Sequence, residues 1–232
     1  MSNLVSHLIA LYTANTAWSV FLTSTAVHAI LLIASPVQAV CKWYRRQSSD
    51  GDTALPYVCA CVGSSLWLRY SMFINDFKLI LLQTYAVVMQ LFFIIALLFY
   101  RSRKRSITRG LLSIVLLLLA LFIYVEGLAY EDGKKLIGRF ASGSQIAGSL
   151  VCPYLIHRAV KTKVIDFVPF APVAFTWIME MHAIIYSIAI NDFYMLLANT
   201  TFFIMDGSLL AMFFIYPSER KTQPKLRSIT VF

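Results

Sequence analysis

The chain has 232 residues, of which 59% are hydrophobic and only 13% are charged. Soluble globular domains carry about 25% charged residues, so this composition excludes a soluble domain and indicates a helical protein that crosses a membrane several times. In a soluble protein the net charge of +9 would suggest nucleic acid. Here the basic residues cluster at the ends of apolar stretches, so no nucleic-acid partner is predicted.

Seven stretches of the chain are predicted to be membrane-spanning helices, since several of them approach 20 apolar residues. The first is long and has no basic residue before it, so it is predicted to be a span and not a cleaved signal. In chain order the predicted spans cover residues 16–43, 53–74, 77–100, 107–130, 136–160, 166–189 and 191–216.

A sequence of eight residues occurs twice, at the ends of the second and the sixth predicted span. Residues 70–77 read YSMFINDF and residues 186–193 read YSIAINDF, so the copies are 116 residues apart. In each copy an Asn-Asp pair fills a very short loop, at 75–76 and 191–192. The side chains of Asn and Asp form local hydrogen bonds that suit tight turns. The duplication predicts two half-molecules in one membrane chain, which is a sequence signature of a transporter.

The duplication divides the chain into a first three-helix repeat at residues 16–100 and a second at residues 136–216. Residues 101–135 form a linking helix with its flanking loops, while 1–15 and 217–232 remain as tails. An odd number of spans separates the copies, so both have the same orientation. The predicted fold class is therefore an all-α membrane protein with seven transmembrane helices in a 3+1+3 arrangement of two parallel three-helix repeats.

Lysine and arginine are distributed unevenly between the two ends of the predicted helices. The loops after the first, third and fifth spans and the C-terminal tail contain fifteen of them, and the opposite loops contain five. Short loops rich in basic residues stay on the cytosolic side of a membrane. The expected topology is therefore a cytosolic C-terminus and an extracellular or luminal N-terminus.

Proline is expected to interrupt four of the predicted spans. It lacks a backbone N–H and clashes with the preceding turn, so it kinks or loosens a helix. Breaks at corresponding places in two halves point to hinges that flank a binding site. The predicted hinges are Pro36 in the first span, Pro56 in the second, Pro153 in the fifth, and Pro169, followed by Pro172, in the sixth.

Two acidic residues lie inside predicted spans, where a charge is costly and is by default a functional hypothesis. Asp206 is near the middle of the seventh span and Glu180 lies in the sixth. Asp206 follows Asn199 by two helical turns, so both lie on one face, roughly 10 Å apart. Gln83 and Gln90 repeat this spacing in the first half. Either acid is a candidate proton site; the alternative is an acid that is held neutral or hydrogen-bonded to a neighbouring helix.

With these features the chain resembles the SWEET sugar transporters, the eukaryotic two-repeat members of the PQ-loop group. The resemblance covers nearly all of residues 30–217. It rests on short runs in both halves, of which the second-half run is the more specific. These runs are Ser35-Pro36, Leu55-Pro56-Tyr57-Val58, Leu66-Trp67-Leu68-Arg69-Tyr70, Asn75-Asp76, Val160-Lys161-Thr162-Lys163, Asp166-Phe167-Val168-Pro169-Phe170, Tyr186, Asn191-Asp192 and Asn199.

The resemblance implies two three-helix bundles joined by the fourth helix. It also implies facilitated, uncoupled diffusion of mono- or disaccharides across a lipid bilayer by alternating access, with a small sugar as the substrate. Family members occur in the plasma membrane and in Golgi membranes, so either is the expected location. Oligomerisation is common in the family, which makes a second copy of the chain a candidate partner.

The family's sugar-binding positions fall on four residues of this chain. An asparagine of each half faces the sugar in the family; the second is Asn199, and the first is Gln83, an amide with one more methylene. A second pair of pocket positions falls on Trp67 and Ala183. Amides offer donors and acceptors to hydroxyl groups, and an indole offers a flat apolar face. The alternatives are packing or interfacial anchoring for Trp67 and helix–helix hydrogen bonds for the two amides.

The family's extracellular gate contains tyrosines and an aspartate, and the resemblance places it at Tyr70, Tyr186 and Asp192. The glycines that usually follow the two tyrosines are Ser71 and Ser187 here. Both replacements are small, so the close approach of helices at the gate is nearly preserved.

Two other functions are compatible with parts of the sequence. A proton-coupled carrier of sugars or amino acids would use Asp206 or Glu180 as its titrating group. A seven-helix receptor would have the same topology but would not need the internal repeat. An enzyme is not predicted, because no His, Cys and Asp residues are grouped for metal binding or nucleophilic catalysis, and for the same reason no metal and no cofactor are predicted.

Overall fold

The computed structural model describes residues 13–216. In chain order the helices are α1 Thr16–Ala34, α2 Val37–Arg46, α3 Leu55–Phe73, α4 Phe77–Phe99, α5 Arg105–Glu126, α6 Tyr130–Ser149, α7 Val151–Thr162, α8 Phe170–Ala189 and α9 Phe193–Ile215. Helices α1 and α2 together occupy the first predicted span, and α6 and α7 occupy the fifth. The described residues therefore contain seven lengths of helix at the seven predicted places, which confirms the all-α architecture.

Within residues 13–216, five lengths of helix are long and apolar enough to cross a membrane, namely Thr16–Arg46, α4, α5, α8 and α9. The second predicted span is formed by α3 and the fifth by α6 with α7. These helices are not long and apolar enough to meet the same criterion. Helix α3 contains Arg69 and several serines, and α6 begins with a run of charged residues from Glu131 to Lys135. Length and apolar composition therefore identify five of the seven spans, and the repeat identifies the other two.

The chain divides into two compact units, Met1–Ser144 and Gln145–Phe232, so that the division falls inside α6. In the first unit α4 packs against α1, α2 and α3, and in the second α9 packs against α7 and α8. The last helix of each repeat is therefore the central one of its own group. In the second unit, Gln145 bonds to Asn199 and Cys152 to Asp206, both across 54 residues of sequence. This constant separation shows that α6–α7 and α9 run in the same direction.

The Asn-Asp pairs of the repeat form the turns that the sequence predicts. Asn75 and Asn191 both have a φ of 54°, a left-handed conformation that Asn adopts more readily than most residues. Asp76 then caps α4, since its carboxylate accepts hydrogen bonds from the N–H groups of Lys78 and Leu79 at 3.1 and 3.2 Å. Asp192 caps α9 in the same way, with the N–H of Met195 at 2.8 Å. These caps satisfy N–H groups that have no partner at the start of a helix.

The repeat extends to a second pair of left-handed residues that the sequence analysis did not identify. Gln47 follows the last residue of α2 with a φ of 51°, and Lys163 follows the last residue of α7 with a φ of 59°. These two positions are separated by the same 116 residues as the octamer copies. In each half, therefore, one left-handed residue precedes the second span and another follows it, around α3 in the first half and α8 in the second.

Two of the four predicted proline breaks are present. Pro36 separates α1 from α2, and the hydroxyl of Ser35 donates to the Leu32 carbonyl at 2.8 Å, replacing the backbone bond that proline cannot form. Pro153 is the third residue of α7 and lies just after the break between α6 and α7, where the Leu150 N–H reaches the Ala147 carbonyl at 3.3 Å. Each half therefore has one interrupted helix, its first.

The predicted interruptions at Pro56 and Pro169 are wrong. Pro56 is the second residue of α3, and Pro169 is the residue that precedes α8. A proline in the first turn of a helix breaks nothing, because the N–H groups of that turn have no partner within the helix. These two prolines, and Pro172 in the first turn of α8, therefore mark where helices begin.

Three elements of the first unit meet at the C-terminal end of α3. Arg69 forms an ion pair with Glu126 at the end of α5, and the hydroxyl of Tyr130 donates to the Phe73 carbonyl. A Cβ at Gly133 would lie 3.2 Å from side-chain atoms of both Phe73 and Val125. The glycine therefore lets α6 begin close to α3 and fixes the end of the helix that carries Trp67 and Tyr70.

We expect Asp76→Ala to lower the free energy of unfolding by about 1 kcal/mol, because two N–H groups of α4 lose their cap. Asp76→Asn is the control, since asparagine caps a helix about as well as aspartate. The measurement is thermal unfolding of the purified protein in detergent. An equal loss of stability in both variants would contradict the capping role.

Candidate functional site

In the first half the predicted pocket and gate residues lie on α3 and α4. Trp67 and Tyr70 are 8% and 1% exposed, and their rings meet edge to face with centroids 5.7 Å apart. Tyr70 follows Trp67 by three positions on α3, so the two residues lie on one face of that helix. Gln83 is half-buried on α4, and Gln90 is buried two turns further along the same helix. The two amides form a polar line along an otherwise apolar helix.

In the second half Asn199 is buried on α9 at the centre of a hydrogen-bonded group. Its Oδ1 accepts from the Nε2 of Gln145 on α6 at 2.8 Å, and its Nδ2 donates to the Oγ of Ser187 on α8 at 3.1 Å. The Ser187 hydroxyl in turn donates to the Ala183 carbonyl at 2.6 Å. Helix–helix hydrogen bonds, the alternative for this amide, are therefore present. They use one of its two N–H donors and one of its two oxygen lone pairs, which leaves one of each.

Gln145 and Ser187 are the amide's partners, and the sequence analysis did not assign them this role. From the sequence, Ser187 is only a small residue at a position where the resemblance implies a glycine. Gln145 is a strongly polar residue in a predicted span, and this was the signal that could have identified it. Together they fix the rotation of the Asn199 side chain from two different helices.

The remaining residues of the predicted pocket and gate have different surroundings. Ala183 and Tyr186 are half-buried on α8. Asp192 is half-buried and serves as the cap of α9, so its carboxylate has a structural role there. Tyr70 is buried in the first unit.

The two intramembrane acids lie on neighbouring helices of the second half. Asp206 on α9 is 6% exposed, and its Oδ1 accepts from the thiol of Cys152 on α7 at 3.1 Å. Glu180 is on α8, and its Oε2 is buried with no hydrogen-bond partner among residues 13–216. The corresponding residues of the first half, 116 positions earlier, are the neutral Ser64 and Gln90.

An unpredicted tryptophan lies beside these acids. Trp177 precedes Glu180 by three residues on α8 and stacks on Phe203 of α9 with ring centroids 4.7 Å apart. Its Nε1 is buried and has no hydrogen-bond partner in the described part of the chain. A Cβ at Gly207 would lie 2.8 Å from this nitrogen, so only glycine at this position allows the indole to lie flat on α9.

Two features distinguish the second half from the first. It contains two acids within its predicted spans, of which Asp206 is buried, and it contains an indole N–H and a Glu180 carboxyl oxygen that are both buried without partners in the described residues. Unpaired buried polar atoms cost free energy, and each needs an explanation. Within residues 13–216, no group of three His, Cys, Asp or Glu side chains is placed to hold a metal ion.

We expect Gly207→Ala to displace Trp177 and to destabilise the protein by about 1–3 kcal/mol, because the added methyl group overfills a packed contact. Thermal unfolding and the emission spectrum of tryptophan measure the two effects. Ser208→Ala is the control on the adjacent, exposed position of α9. Indistinguishable behaviour of the two variants would contradict the proposed packing of Trp177 against α9.

Comparison with known proteins identifies both halves separately. The model of the family described as "Sugar efflux transporter for intercellular exchange" matches residues 19–105 and again residues 135–221. Both matches include three of the predicted spans. The predicted two-repeat organisation is therefore confirmed by an independent sequence comparison.

Curated proteins that are similar to the chain have related names. Bidirectional sugar transporter NEC1 of Petunia hybrida is 24% identical over 195 residues, which is 82% of this chain and 74% of that protein. Bidirectional sugar transporter SWEET10 of Arabidopsis thaliana is 25% identical over 206 residues, or 84% of this chain and 71% of that protein. Sugar transporter SWEET1 of Drosophila pseudoobscura pseudoobscura is 20% identical over 200 residues, which is 84% of this chain and 88% of that protein.

A solved structure confirms the fold. The chain superimposes on a eukaryotic SWEET transporter determined at 3.7 Å resolution with a TM-score of 0.76 and 20% sequence identity, over 85% of this chain and 95% of the other. The fold and the twofold match of the family model together show that the chain belongs to the SWEET family of sugar efflux transporters, whose members are transporters and not enzymes.

Proposed function

We propose that this protein moves small sugars across a membrane by facilitated diffusion, in either direction, through alternating access. The observation that carries the proposal is the match of a sugar-transporter family model to each half of the chain. The curated relatives named bidirectional sugar transporters support it, because the similarity covers more than four fifths of this chain. The receptor alternative does not account for either finding.

The proposed substrate-binding residues are Gln83 and Trp67 in the first half and Asn199 and Ala183 in the second. The best supported is Asn199, because Gln145 and Ser187 orient its amide and leave one donor and one acceptor for a sugar hydroxyl. An amide fixed in advance loses less side-chain entropy when it binds. Trp67 is buried and packs edge to face with Tyr70.

The proposed gate consists of Tyr70, Tyr186 and Asp192. Asp192 and Tyr186 lie on either side of a turn whose left-handed residue is Asn191. The proposed hinges are narrowed to Pro36 and Pro153, because these two lie at or beside breaks in a helix, whereas Pro56 and Pro169 lie at helix starts. A broken helix bends more easily than a continuous one, since backbone hydrogen bonds are missing at the break.

The protein is a multi-pass membrane protein. We further propose a cytosolic C-terminus and an extracellular or luminal N-terminus, since fifteen of the twenty Lys and Arg residues lie on one side of the predicted helices. The plasma membrane and the Golgi membrane are the two proposed locations, and a homo-oligomer is the proposed assembly. The proposed functional division remains two repeats at 16–100 and 136–216 with a linker at 101–135.

We expect Asn199→Ala to reduce saturable uptake of labelled glucose or sucrose by roughly tenfold or more, because a hydrogen bond to the sugar is lost and Gln145 and Ser187 lose their partner. Uptake is measured in cells that lack their own sugar carriers, at pH 5.5 and at pH 7.5, and is corrected for surface expression. Ser208→Ala on the same helix is the control. If neither sugar enters cells that express the wild type, the proposed function is wrong.

A proton-coupled carrier is the second candidate, and the acids of the second half favour it. A carboxyl oxygen buried without a donor is costly, and in membrane carriers such groups commonly take up and release protons. Cys152 on α7 donates to Asp206, and Trp177 precedes Glu180 by one turn on α8. Neither carries a positive charge to compensate two carboxylates.

The two mechanisms differ in whether sugar accumulates. Under facilitated diffusion we expect labelled sugar in wild-type proteoliposomes to equilibrate and not to concentrate when an inward proton gradient is imposed. The variants Glu180→Ser and Asp206→Gln, which copy the first-half residues Ser64 and Gln90, should then leave sugar exchange at equal concentrations unchanged. Accumulation driven by the gradient in the wild type, together with its loss in these variants, would establish proton coupling instead. His182→Ala is the control for a nearby titratable group on α8.

A further inference from the structure

A group of exposed basic residues surrounds the start of α5. It consists of Arg103, Lys104, Arg105 and Arg109, and is referred to below as the α5 basic patch. The first turn of α5 contains no acidic residue, and Lys104 at the cap position makes no side-chain hydrogen bond to the helix. The positive end of the helix dipole therefore adds to four positive side chains, where a negative group is favoured.

No acid of the described residues neutralises this patch. The ion pairs within residues 13–216 join Lys42 to Asp52, Arg69 to Glu126 and Arg101 to Asp50. None of them includes a residue of the α5 basic patch.

Two acids of the α2–α3 loop, which bonds to Ser102 just before the patch, are engaged elsewhere. Asp50 accepts hydrogen bonds from the backbone N–H and the hydroxyl of Ser102, and these bonds hold the pKa of its carboxyl below the ordinary value. The pKa of Asp52 is also lowered, first by the hydrogen bond from the Trp43 indole at 2.8 Å and then by Lys42. Both acids are therefore ionised at neutral pH, and their charges are satisfied within the α2–α3 loop and its neighbours.

A cavity of about 500 Å³ lies within the patch and is lined by Lys104, Arg105, Thr108 and Arg109. Two guanidinium groups and an ammonium group can donate to it. Guanidinium groups match the oxygens of a phosphate in a bidentate manner, and a lysine adds a point charge. The cavity is therefore suited to a phosphate-containing anion.

A second cavity of about 320 Å³ lies beside the first turns of the same helix. Its lining is mainly apolar and includes Val58 from α3 and Ile107, Leu111 and Ile114 from α5. Arg101 is its charged lining residue, and the buried Nε of this arginine has no hydrogen-bond partner in the described part of the chain. A free inorganic anion would make no use of such a groove, whereas a hydrocarbon chain would fill it.

Gly110 keeps this groove open. It lines the groove between Ile107 and Leu111, and a Cβ built on it would meet no atom within 4 Å. A larger side chain at this position therefore enters empty space without a clash. The remainder of α5 faces outward, with Val125 as its buried residue and with Leu112, Val115 and Leu116 exposed.

We propose that the start of α5 is a binding site for one anionic phospholipid. Its headgroup phosphate lies in the cavity formed by Lys104, Arg105 and Arg109, and one acyl chain lies in the groove beside Gly110. Charge complementarity selects the headgroup, since basic clusters at the membrane end of a helix attract anionic lipids. The inference does not depend on the identity of the transported substrate.

The test is lipid binding to the purified full-length protein in detergent, measured by native mass spectrometry and by the shift of the thermal unfolding midpoint. Phosphatidylglycerol and phosphatidylserine are compared with phosphatidylcholine of the same acyl chains. We expect the wild type to prefer the anionic lipids and to lose that preference as salt rises, because exposed charges are screened.

The triple variant K104Q/R105Q/R109Q should bind the anionic lipids roughly 100-fold more weakly, since each basic residue near a membrane surface contributes about a fivefold factor. The matched control is K134Q/K135Q/R139Q, which removes three positive charges from α6. R105K/R109K, which keeps the charges but removes the bidentate guanidinium donors, should bind the anionic lipids more tightly than the triple variant and less tightly than the wild type.

The variant Gly110→Leu separates a lipid from a soluble phosphate. It should weaken binding of the phospholipid several-fold and leave binding of glycerol 3-phosphate unchanged. Wild-type lipid preference in the triple variant would overturn the proposal. So would full competition by millimolar glycerol 3-phosphate together with unaltered lipid binding in Gly110→Leu, because the ligand would then be a free phosphate.

Discussion

Every polar group that enters the hydrocarbon of a bilayer must find its partner inside the protein, because no water is there to provide one. This constraint accounts for the polar residues at the turns and breaks of the helices. Asp76 and Asp192 satisfy the first N–H groups of α4 and α9, and the hydroxyl and backbone N–H of Ser35 both donate to the Leu32 carbonyl, to which Pro36 cannot donate. The turns and breaks that divide each repeat therefore depend on a few short polar side chains.

The same constraint shapes the candidate site. Asn199 is tolerable within α9 because Gln145 and Ser187 reach it from α6 and α8. These bonds tie together the helices of the second half and also hold an amide in one orientation. Because these two bonds occupy only half of the hydrogen-bonding capacity of the amide, it can still bind a hydroxyl group. One set of interactions therefore serves both stability and recognition.

The two halves are similar in backbone and different in chemistry. The left-handed residues Asn75 and Asn191 have the same φ of 54°, yet the first half has Gln90 and Ser64 where the second has Asp206 and Glu180. A duplicated backbone leaves the side chains of each copy free to diverge. The acids, Cys152 and Trp177 are therefore properties of the second half alone and cannot be inferred from the repeat.

The sequence by itself determined the seven helical lengths, the duplication and the Asn-Asp turns, because composition, repetition and capping depend on residues close together in the chain. The predicted helix breaks at Pro56 and Pro169 were wrong, because a proline interrupts the interior of a helix but is well tolerated in its first turn. Only the tertiary structure decided that Gln145 would meet Asn199 and that Cys152 would meet Asp206, each 54 residues away. Such contacts depend on how each helix is rotated about its axis. When most faces of a span are apolar, the hydrophobic pattern of the sequence does not specify that rotation.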